Sequence, residues 1–375
     1  MTAKRLLLFL AVCVLFLSEC PLLRAAMDWE VIRSGERKWE LMLADLEKAR
    51  SYICLECFII HDDPSGSAVQ EILIRKAREG LQVRLIFDLV GCAVLDKSFL
   101  KALKKAGAEV RIYSDMDRWN TEGINIRDHR KILVIDGKVA HMGGMNLNDK
   151  YHYLWNDTDI RMEGAPVCEL ERIFYATWNR IGEKGSPGCQ ADTQPDDKIE
   201  IFAGGPFYPI FVKQYLKVLR EAKDYIYIQT PYFCPPDTLA TALKEAAARG
   251  IDVRIIIPSQ CDLVFMNTAN QSYYPDMLEA GVRIYEYLPR FDHSKVFTCD
   301  DRVCWVGSVN FDNRSFYHSY EIGASIQDEQ TAIDQKHWFL DLLAESREIM
   351  REQTYAWSKG RRMKQKIIRW FESQL

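Results

Sequence analysis

The chain has 375 residues, of which 48% are hydrophobic and 27% are charged, and its formal net charge is −4 at pH 7. This composition is typical of a globular protein with a packed core, so it excludes a disordered chain. The acidic balance also argues against a nucleic-acid enzyme, which usually carries a basic excess. The length allows two domains or one large duplicated domain.

An apolar segment lies at the N-terminus. Lys4 and Arg5 precede twelve apolar residues, Leu6 to Leu17, and a run of that length is short for a membrane span. An uncleaved anchor and a cleaved signal peptide both fit it, and Cys20 adds a lipoprotein as a further alternative. We therefore expect residues 1–26 to be a signal peptide or N-terminal anchor. This places the protein at the cell (inner or plasma) membrane, anchored or peripheral.

The cysteines give conflicting indications about the side of the membrane. Of eleven, those in apolar strand-like runs (Cys54, Cys57, Cys299, Cys304) are expected to be buried free thiols. Such a cysteine content fits a reducing compartment, whereas basic residues before an apolar run predict export of the chain beyond that run. Both sides therefore stay open. No second cysteine pair completes a metal site with Cys54 and Cys57.

The two halves of the sequence repeat one order of elements: strand, helix, strand, helix, strand. The matching strands and first helices are residues 52–56 and 225–229, 69–79 and 239–249, 82–87 and 252–257, and 109–113 and 282–285. Gly80 and Gly250 follow the first helices, where a C′ glycine commonly ends a helix. The pattern predicts an α/β class: a duplicated fold of two mostly parallel β-sheets flanked by helices and packed about a pseudo-twofold axis.

The expected domain boundaries follow from this repeat. Residues 27–181 form the first repeat, residues 182–197 a linker rich in Gly, Pro and Asp, and residues 198–357 the second repeat. Residues 358–375 are expected to form a basic amphipathic helix, with six basic residues and no acid from Lys359 to Arg369. Such a helix suits an anionic bilayer surface, and packing against its own domain is an equal alternative.

One octet, H-x-K-x-x-x-x-D, follows the third strand of each half. Its copies are His129–Asp136 and His293–Asp300, and after six intervening residues come Gly143–Asn146 and Gly307–Asn310. The same octet with the same downstream tetrad at the same offset predicts a duplicated catalytic unit.

The residue types in the octet suit a tetrahedral phosphate. Lysine supplies positive charge, the imidazole supplies a nucleophile or an acid, and Asn146 and Asn310 supply amide donors for phosphate binding. The candidate catalytic residues are those of the two octets: His129, Lys131, Asp136, His293, Lys295 and Asp300. Within this set, the two aspartates are expected to fix the strand end and the turn rather than to take part in the chemistry.

Each half offers only half a site. Packing about a pseudo-twofold axis would bring His129 and His293 to opposite sides of one phosphorus, the first as nucleophile and the second as general acid. Each imidazole needs a carboxylate to hold its tautomer. Asp157 and Glu321 each lie eleven residues after the asparagine of their repeat, and we expect them to orient the histidines. One chain then carries both half-sites, so a monomer should suffice.

The duplicated octet with its G-[GS]-x-N tail resembles the phospholipase D superfamily. Four accessory segments resemble bacterial cardiolipin synthases: residues 129–132 (HRKI), Trp155-x-Asp157, residues 229–233 (QTPYF), and residues 308–316. The resemblance covers roughly residue 27 to the C-terminus. The chain departs from the family pattern at Ser319, where asparagine is common, and at Asp292, where an apolar residue is expected. The usual pair of long N-terminal membrane helices is also reduced to one short segment.

This resemblance implies a membrane-associated phosphatidyltransferase. It would condense two phosphatidylglycerol molecules to cardiolipin and glycerol through a phosphatidyl-histidine intermediate, without a metal or other cofactor. Phosphatidylethanolamine stays open as another lipid partner, and no nucleic acid is expected. The alternatives are a hydrolytic phospholipase D that gives phosphatidic acid, a nuclease or other phosphodiesterase of the same superfamily, and an inactive phospholipid sensor.

Overall fold

The computed structural model describes residues 29–114, 126–189, 198–206 and 208–372. The predicted N-terminal segment and the second half of the predicted linker, residues 190–197, lie outside these ranges. Within them, no helix has the length and apolar character needed to cross a bilayer.

The first half of the chain contains eight strands, four α-helices and a short π-helix within the described residues. They are β1 Trp29–Ile32, α1 Gly35–Lys48, β2 Tyr52–Cys57, α2 Pro64–Arg78, β3 Gln82–Asp88, α3 Lys97–Lys105, β4 Glu109–Tyr113, β5 Arg127–Asp128, β6 Lys131–Ile135, β7 Val139–Gly143, the π-helix Lys150–Leu154, β8 Asp159–Glu163 and α4 Ala165–Arg180. Seven strands form one sheet in the order β1-β8-β7-β6-β2-β3-β4.

The second half begins after the linker. Its elements are β9 Ile199–Gly204, α5 Ile210–Glu221, β10 Tyr225–Gln229, β11 Phe233–Cys234, α6 Asp237–Ala248, β12 Asp252–Pro258, α7 Val264–Glu279, β13 Arg283–Tyr287, β14 Val296–Cys299, β15 Val303–Gly307, β16 Phe311–Asp312, α8 Asn313–Tyr317, β17 Ser319–Ile326, α9 Glu329–Ala344, β18 Ser346–Ile349, α10 Arg351–Tyr355 and α11 Lys359–Glu372. The large sheet has the order β18-β13-β12-β10-β14-β15-β17-β5, and β9 also pairs with β17.

The two sheets share one core topology. The order β1-β8-β7-β6-β2-β3-β4 matches β9-β17-β15-β14-β10-β12-β13 strand for strand, as expected for a duplicated fold. The prediction of mostly parallel sheets was wrong. Within the seven matched strands of each repeat, those joined by helices are parallel, β2-β3-β4 and β10-β12-β13, whereas the other neighbours pair antiparallel. The sheets are therefore mixed.

Each octet ends in a tight turn, as expected for its aspartate. Asp136 and Gly137 have φ values of 54° and 64°, and Asp300 and Asp301 have 54° and 52°. Two consecutive residues with positive φ form the turn that matches the twist of a two-residue hairpin. The octet strands begin at Lys131 and Val296, after the histidines. Both histidines therefore lie in the segments that lead into the strands.

The repeats contact each other directly beside these histidines. Strand β5 leaves the first repeat and pairs parallel with β17, with Arg127 opposite Ser319. Helix α4 packs its Phe174 and Trp178 into an apolar cluster that includes Ile322 of β17. Burial of this shared cluster stabilises one arrangement of the two repeats.

The cysteines fall into two groups. Cys168 of α4 forms a disulfide with Cys189, which ties this helix to the start of the predicted linker. Cys54, Cys57, Cys299 and Cys304 are buried free thiols, as predicted.

The basic C-terminal helix, α11, packs against α7. Arg369 forms an ion pair with Asp276 at 2.8 Å, Arg361 donates to Gln271 at 2.7 Å, and Ile368 contacts the core. The opposite face exposes Met363 among basic residues. The structure thus shows the packing alternative and leaves an outer face of the same helix accessible.

Candidate active site

His129 is held by a carboxylate of the other repeat. Its Nδ1 lies 3.0 Å and 3.1 Å from the two carboxylate oxygens of Glu321, and its backbone N–H donates to Tyr320 O at 2.9 Å. An imidazole that donates Nδ1–H to a carboxylate keeps its lone pair on Nε2. This tautomer is the one required for attack through Nε2.

His293 has the reciprocal arrangement. Its Nδ1 lies 2.6 Å from Asp157 Oδ2, and its backbone N–H donates to Asn156 O at 2.7 Å. The ring also contacts Tyr151 edge-on, with centroids 5.1 Å apart. The two carboxylates expected from their spacing therefore do contact the two histidines, and each pair joins the two repeats.

The octet lysines are buried directly behind their histidines. Lys131 Nζ donates to His129 O at 2.6 Å. Lys295 Nζ donates to His293 O and lies 2.7 Å from His293 Nδ1. Two ammonium groups at this depth supply the positive charge that an anionic phosphodiester needs in a partly desolvated site.

Asn146 and Asn310 have different hydrogen-bond partners. Asn146 Oδ1 accepts from Ile59 N at 3.0 Å, and its Nδ2 donates to Tyr151 Oη at 2.8 Å. Among the described residues, Asn310 Oδ1 is buried without a hydrogen-bond partner. A buried amide of this kind is a candidate contact for a bound ligand.

Residues of both half-sites line one cavity of about 520 Å³. The predicted residues in its wall are His129, His293, Asn146, Asn310 and Glu321. Its other walls carry apolar side chains, among them Phe58, Val90 and Phe265. The site can therefore hold a molecule with one polar group and apolar parts.

Burial controls the charge of the two imidazoles. It lowers the pKa of His129 to about 4, with Glu321 opposing the shift and Lys131 adding to it. Burial and Lys295 lower the pKa of His293 well below its usual value. Burial also lowers the pKa of Lys295 to about 8. Both histidines are therefore neutral at pH 7 without a ligand.

The pKa values of the two orienting carboxylates are shifted in opposite directions. Burial raises the pKa of Asp157 to about 6. Burial also opposes ionisation of Glu321, but His129 and the Ser308 hydroxyl outweigh it and lower the pKa of Glu321. The equivalent of Ser308 is Gly144, where an added Cβ would lie 2.2 Å from Asp157 Oδ1. Asp157, which is shorter than Glu321, thus occupies the space that a side chain at position 144 would fill.

Comparisons with known proteins agree with this geometry. The family model described as "Cardiolipin synthase, PLD-like domain" matches residues 42–178 and 215–343. The chain belongs to the cardiolipin synthase family of phospholipase D-like proteins. It is 36% identical over 315 residues to a cardiolipin synthase of Geobacillus kaustophilus (strain HTA426), covering 80% of this chain and 62% of that protein. It is 34% identical over 350 residues to cardiolipin synthase A of Pseudomonas putida (strain GB-1), covering 90% and 72%.

Solved structures support the phospholipase D-like fold of this cardiolipin synthase family member. Phosphatidylserine synthase of Haemophilus influenzae Rd KW20 superposes with a TM-score of 0.66 at 14% identity, covering 92% of each chain. A polyphosphate kinase from Porphyromonas gingivalis gives 0.62 at 12% identity, covering 86% of this chain and 49% of that one. The chain spans about 62% of the length of the first curated relative, so the activity of that whole protein is a proposal for this chain.

Asp136 and Asp300 lie outside the cavity wall of this family member. Asp136 accepts from the backbone N–H groups of residues 50, 51 and 52, and Asp300 from those of residues 223, 224 and 225. Neither carboxylate lines the cavity. Their hydrogen bonds are those of the structural role expected for the strand end, and their inclusion among the catalytic residues stays a prediction.

Three arginines at the site were not predicted. Arg130 crosses to the second repeat, where it donates to Glu321 O at 3.2 Å and to Gly204 O at 3.1 Å. Arg127 and Arg314 line the cavity. Arg130 is replaced by Ser294 in the second octet, so the repeat gave no signal for it. Arg314 fell within the accessory segment 308–316, but nothing in that segment indicated the cavity.

Glu56 and Gln229 lie behind the site at equivalent strand positions. Gln229 Nε2 donates to Asp292 Oδ2 at 2.7 Å, so the acidic residue before His293 has an amide partner. In the first repeat Glu56 instead faces Asp128. Burial and this neighbour raise the pKa of Glu56, and burial raises the pKa of Asp128 to about 6. Both side chains therefore take part in buried hydrogen bonds.

Proposed function

We propose that the chain is a phosphatidyltransferase that condenses two phosphatidylglycerol molecules into cardiolipin and releases glycerol. The observation that carries this proposal is the reciprocal pairing of His129 with Glu321 and of His293 with Asp157 around one cavity. Two oriented imidazoles at one phosphorus can divide attack and leaving-group protonation between them. The similarity to several bacterial cardiolipin synthases supports a phospholipid substrate.

In the first step His129 Nε2 attacks the phosphorus of the donor lipid. The bond between phosphorus and the glycerol oxygen breaks, and that oxygen takes a proton from His293. A neutral His129, with a pKa of about 4, suits attack at pH 7. His293 acquires its proton when the anionic phosphodiester offsets the charges of Lys131 and Lys295, which otherwise oppose protonation.

In the second step a hydroxyl of the second lipid gives its proton to His293. Its oxygen attacks phosphorus, the bond to His129 breaks, and cardiolipin leaves. One phosphodiester replaces another, so the exchange is close to thermoneutral. Exclusion of water then decides between transfer and hydrolysis. The apolar side chains in the cavity wall support transfer.

The remaining site residues stabilise and orient. Lys131 and Lys295 stabilise the charge that develops on the phosphoryl oxygens, and Asn146 and Asn310 donate to them. Asp157 and Glu321 keep each Nδ1 occupied, so that Nε2 faces the substrate. The assigned chemistry requires no metal or cofactor. Within the described residues, no group of His, Cys, Asp and Glu side chains is arranged to hold a metal ion.

A double-label incubation tests the reaction. The full chain receives phosphatidylglycerol labelled in the headgroup and in the acyl chains, with and without phosphatidylethanolamine. The proposal expects labelled cardiolipin and free glycerol, and neither product from His129→Ala or His293→Ala. Phosphatidic acid as the product would make the enzyme a hydrolytic phospholipase D. Turnover of DNA but of no lipid would indicate a phosphodiesterase of the same superfamily.

We also propose membrane association, with the catalytic repeats on an oxidising side. The Cys168–Cys189 disulfide supports this side because disulfides persist in oxidising compartments. Export is also what the basic residues before the N-terminal apolar run predict. Alkylation of the protein in cells, without reductant, should leave Cys168 and Cys189 unmodified. Alkylation of both would place the repeats on the reducing side.

The proposed organisation keeps a repeat at residues 27–181, a linker at 182–197 and a repeat at 198–357, with residues 1–26 as the leader or anchor and 358–375 as the C-terminal helix. The two segments matched by the family model lie inside the two repeats. Because both half-sites are in one chain, we propose that a monomer is active.

A further inference from the structure

Exposed apolar side chains are concentrated in two loops at equivalent positions of the two repeats. One loop follows β3, and the other follows β12 and continues into the first turn of α7, which begins at Val264. The two strands match in the two sheets. Val94 in the first is 76% exposed and Val264 in the second is 81% exposed. We call the exposed residues of both loops the apolar rim: Leu89, Val90, Val94, Leu263, Val264 and Phe265.

The apolar rim lies at the opening of the active-site cavity, where three of its six exposed residues line the wall. Val90, Leu263 and Phe265 line the same cavity as the two histidines. Arg127 and Arg314 also line it, and both are only partly exposed. The cavity thus combines an apolar mouth with cationic groups in its wall. This order of surfaces fits a molecule that enters with its anionic group first and keeps its apolar part at the mouth.

We propose that the apolar rim inserts into the hydrocarbon boundary of a phospholipid bilayer, and that lipid enters the cavity between its two loops. The proposal rests on the lipid substrate of the proposed function. A diacyl lipid cannot pass through water at a useful rate, because every exposed methylene opposes the transfer. An entrance immersed in the bilayer removes that step. Large exposed apolar patches on soluble domains commonly mark such contacts.

The occupant is a bilayer rather than a protein because of where the rim lies. A protein seated on Leu263 and Phe265 would cover the mouth of the cavity that these residues line. A fluid bilayer covers the same residues and still supplies substrate. The same apolar character recurs at equivalent places in both repeats, as expected if both loops meet one planar surface.

Photocrosslinking tests the contact directly. The full chain, carrying Val94→p-benzoylphenylalanine or Val264→p-benzoylphenylalanine, is illuminated in phosphatidylglycerol vesicles with labelled acyl chains. The matched control is Leu340→p-benzoylphenylalanine, at an exposed leucine on α9 away from the cavity. We expect acyl label at positions 94 and 264 and at least about tenfold less at 340. Equal labelling at all three positions, or crosslinks to a second protein chain, would overturn the proposal.

The same experiment separates the rim from the reaction. In a His129→Ala background, which the proposed function expects to be inactive, the label at 94 and 264 should persist. A second variant, Val94→Asp with Val264→Asp, alters rim residues that do not line the cavity. It should lower turnover of bilayer phosphatidylglycerol by about tenfold or more, and leave turnover of a monomeric short-chain analogue within about twofold. Equal loss on both substrates would contradict a docking role.

Discussion

His129 in the first repeat is oriented by Glu321 in the second, with Nδ1 3.0 Å and 3.1 Å from the carboxylate oxygens. His293 is oriented by Asp157 in the reverse sense, at 2.6 Å. A separated repeat would hold an imidazole without its carboxylate. The duplication therefore does more than supply two copies of a motif, because each copy completes the other.

This crossing makes Glu321 a sensitive position. Glu321→Gln should lower kcat by about 10²–10⁴-fold, because an amide can present a donor to Nδ1 and favour the wrong tautomer of His129. Glycerol release from labelled phosphatidylglycerol measures the effect. Glu348→Gln, which alters an exposed ion pair with Arg283, is the control and should keep full activity. A loss of less than about tenfold for Glu321→Gln, with unchanged thermal stability, would remove the orienting role.

Gly144 should tolerate no side chain. An alanine Cβ would meet Asp157 Oδ1 at 2.2 Å, so Gly144→Ala must displace the carboxylate that holds His293. We expect kcat to fall about as far as in Asp157→Asn, and the double variant to show no further loss, because both act on one contact. Gly360→Ala, on the exposed helix α11, is the control. Additive losses in the double variant would show that Gly144 acts elsewhere.

Binding of an anion should be accompanied by protonation of one of the two imidazoles. Burial lowers the pKa of His129 to about 4 and lowers that of His293 well below its usual value, so neither imidazole is charged at pH 7 without a ligand. The mechanism needs one protonated imidazole when a phosphodiester is bound. Calorimetric titration with dimethyl phosphate, a phosphodiester that stays a monoanion near neutral pH, should report uptake of about one proton per site when run in buffers of different ionisation enthalpy.

The same titration assigns the histidine roles. Replacing the general acid should abolish the uptake, whereas replacing the nucleophile should preserve it. We expect loss in His293→Gln and retention in His129→Gln. Binding of dimethyl phosphate without proton uptake in the unaltered protein would show that the acid is already charged, contrary to the lowered pKa of both imidazoles.

The Glu56–Asp128 pair should destabilise the fold at alkaline pH. Burial raises the pKa of Asp128 to about 6, so the folded state binds more protons than the unfolded chain. Stability from this group is therefore complete below about pH 4 and is lost as the pH rises through about 6, by about 1–3 kcal/mol. Glu56→Gln copies the amide of Gln229 and should reduce this loss.

Urea denaturation at pH 5 and pH 8 measures the effect. Glu56→Gln should gain stability relative to the unaltered protein at pH 8 more than at pH 5. Glu169→Gln, which alters an exposed pair with Arg172, serves as the control and should change neither value. An identical pH dependence in Glu56→Gln and the unaltered protein would show that the two carboxyl groups do not share a proton.

Repetition explains which parts of the site were accessible from the sequence. The histidines, lysines and asparagines recur at fixed offsets, and the eleven-residue spacing recurs for Asp157 and Glu321. Spacing within one repeat cannot say which repeat's histidine a carboxylate contacts, so the crossing emerged only in three dimensions. The counterpart of Arg130 in the second repeat is Ser294. Because the arginine is not repeated, comparison of the two repeats could not indicate its contacts with Glu321 and Gly204.

The sheet direction was mispredicted for a related reason. Strands joined by helices can be recognised because a strand pattern of period two alternates with a helical pattern of period 3.6. Strands β2, β3 and β4 were therefore expected as a parallel set. Strands β1 and β8 are short, and they pair antiparallel at one edge of the sheet without a turn signal between them.

A buried cluster in the first repeat was also missed. His141 lies 2.9 Å from Asp45, and Trp305 is its counterpart in the second repeat.

The central claim is that two repeats form one site that carries a covalent phosphatidyl-histidine. The most direct test is intact-mass analysis of the full chain, quenched in alkali during turnover of phosphatidylglycerol, where a phosphoramidate persists. We predict an adduct with the mass of one phosphatidyl group, mapped to His129, and absent both in His129→Ala, which lacks the nucleophile, and in His293→Gln, which lacks the acid for glycerol release. A rapid turnover with no adduct in any of these proteins would contradict the covalent mechanism. An adduct on both histidines of one molecule would contradict the single shared site.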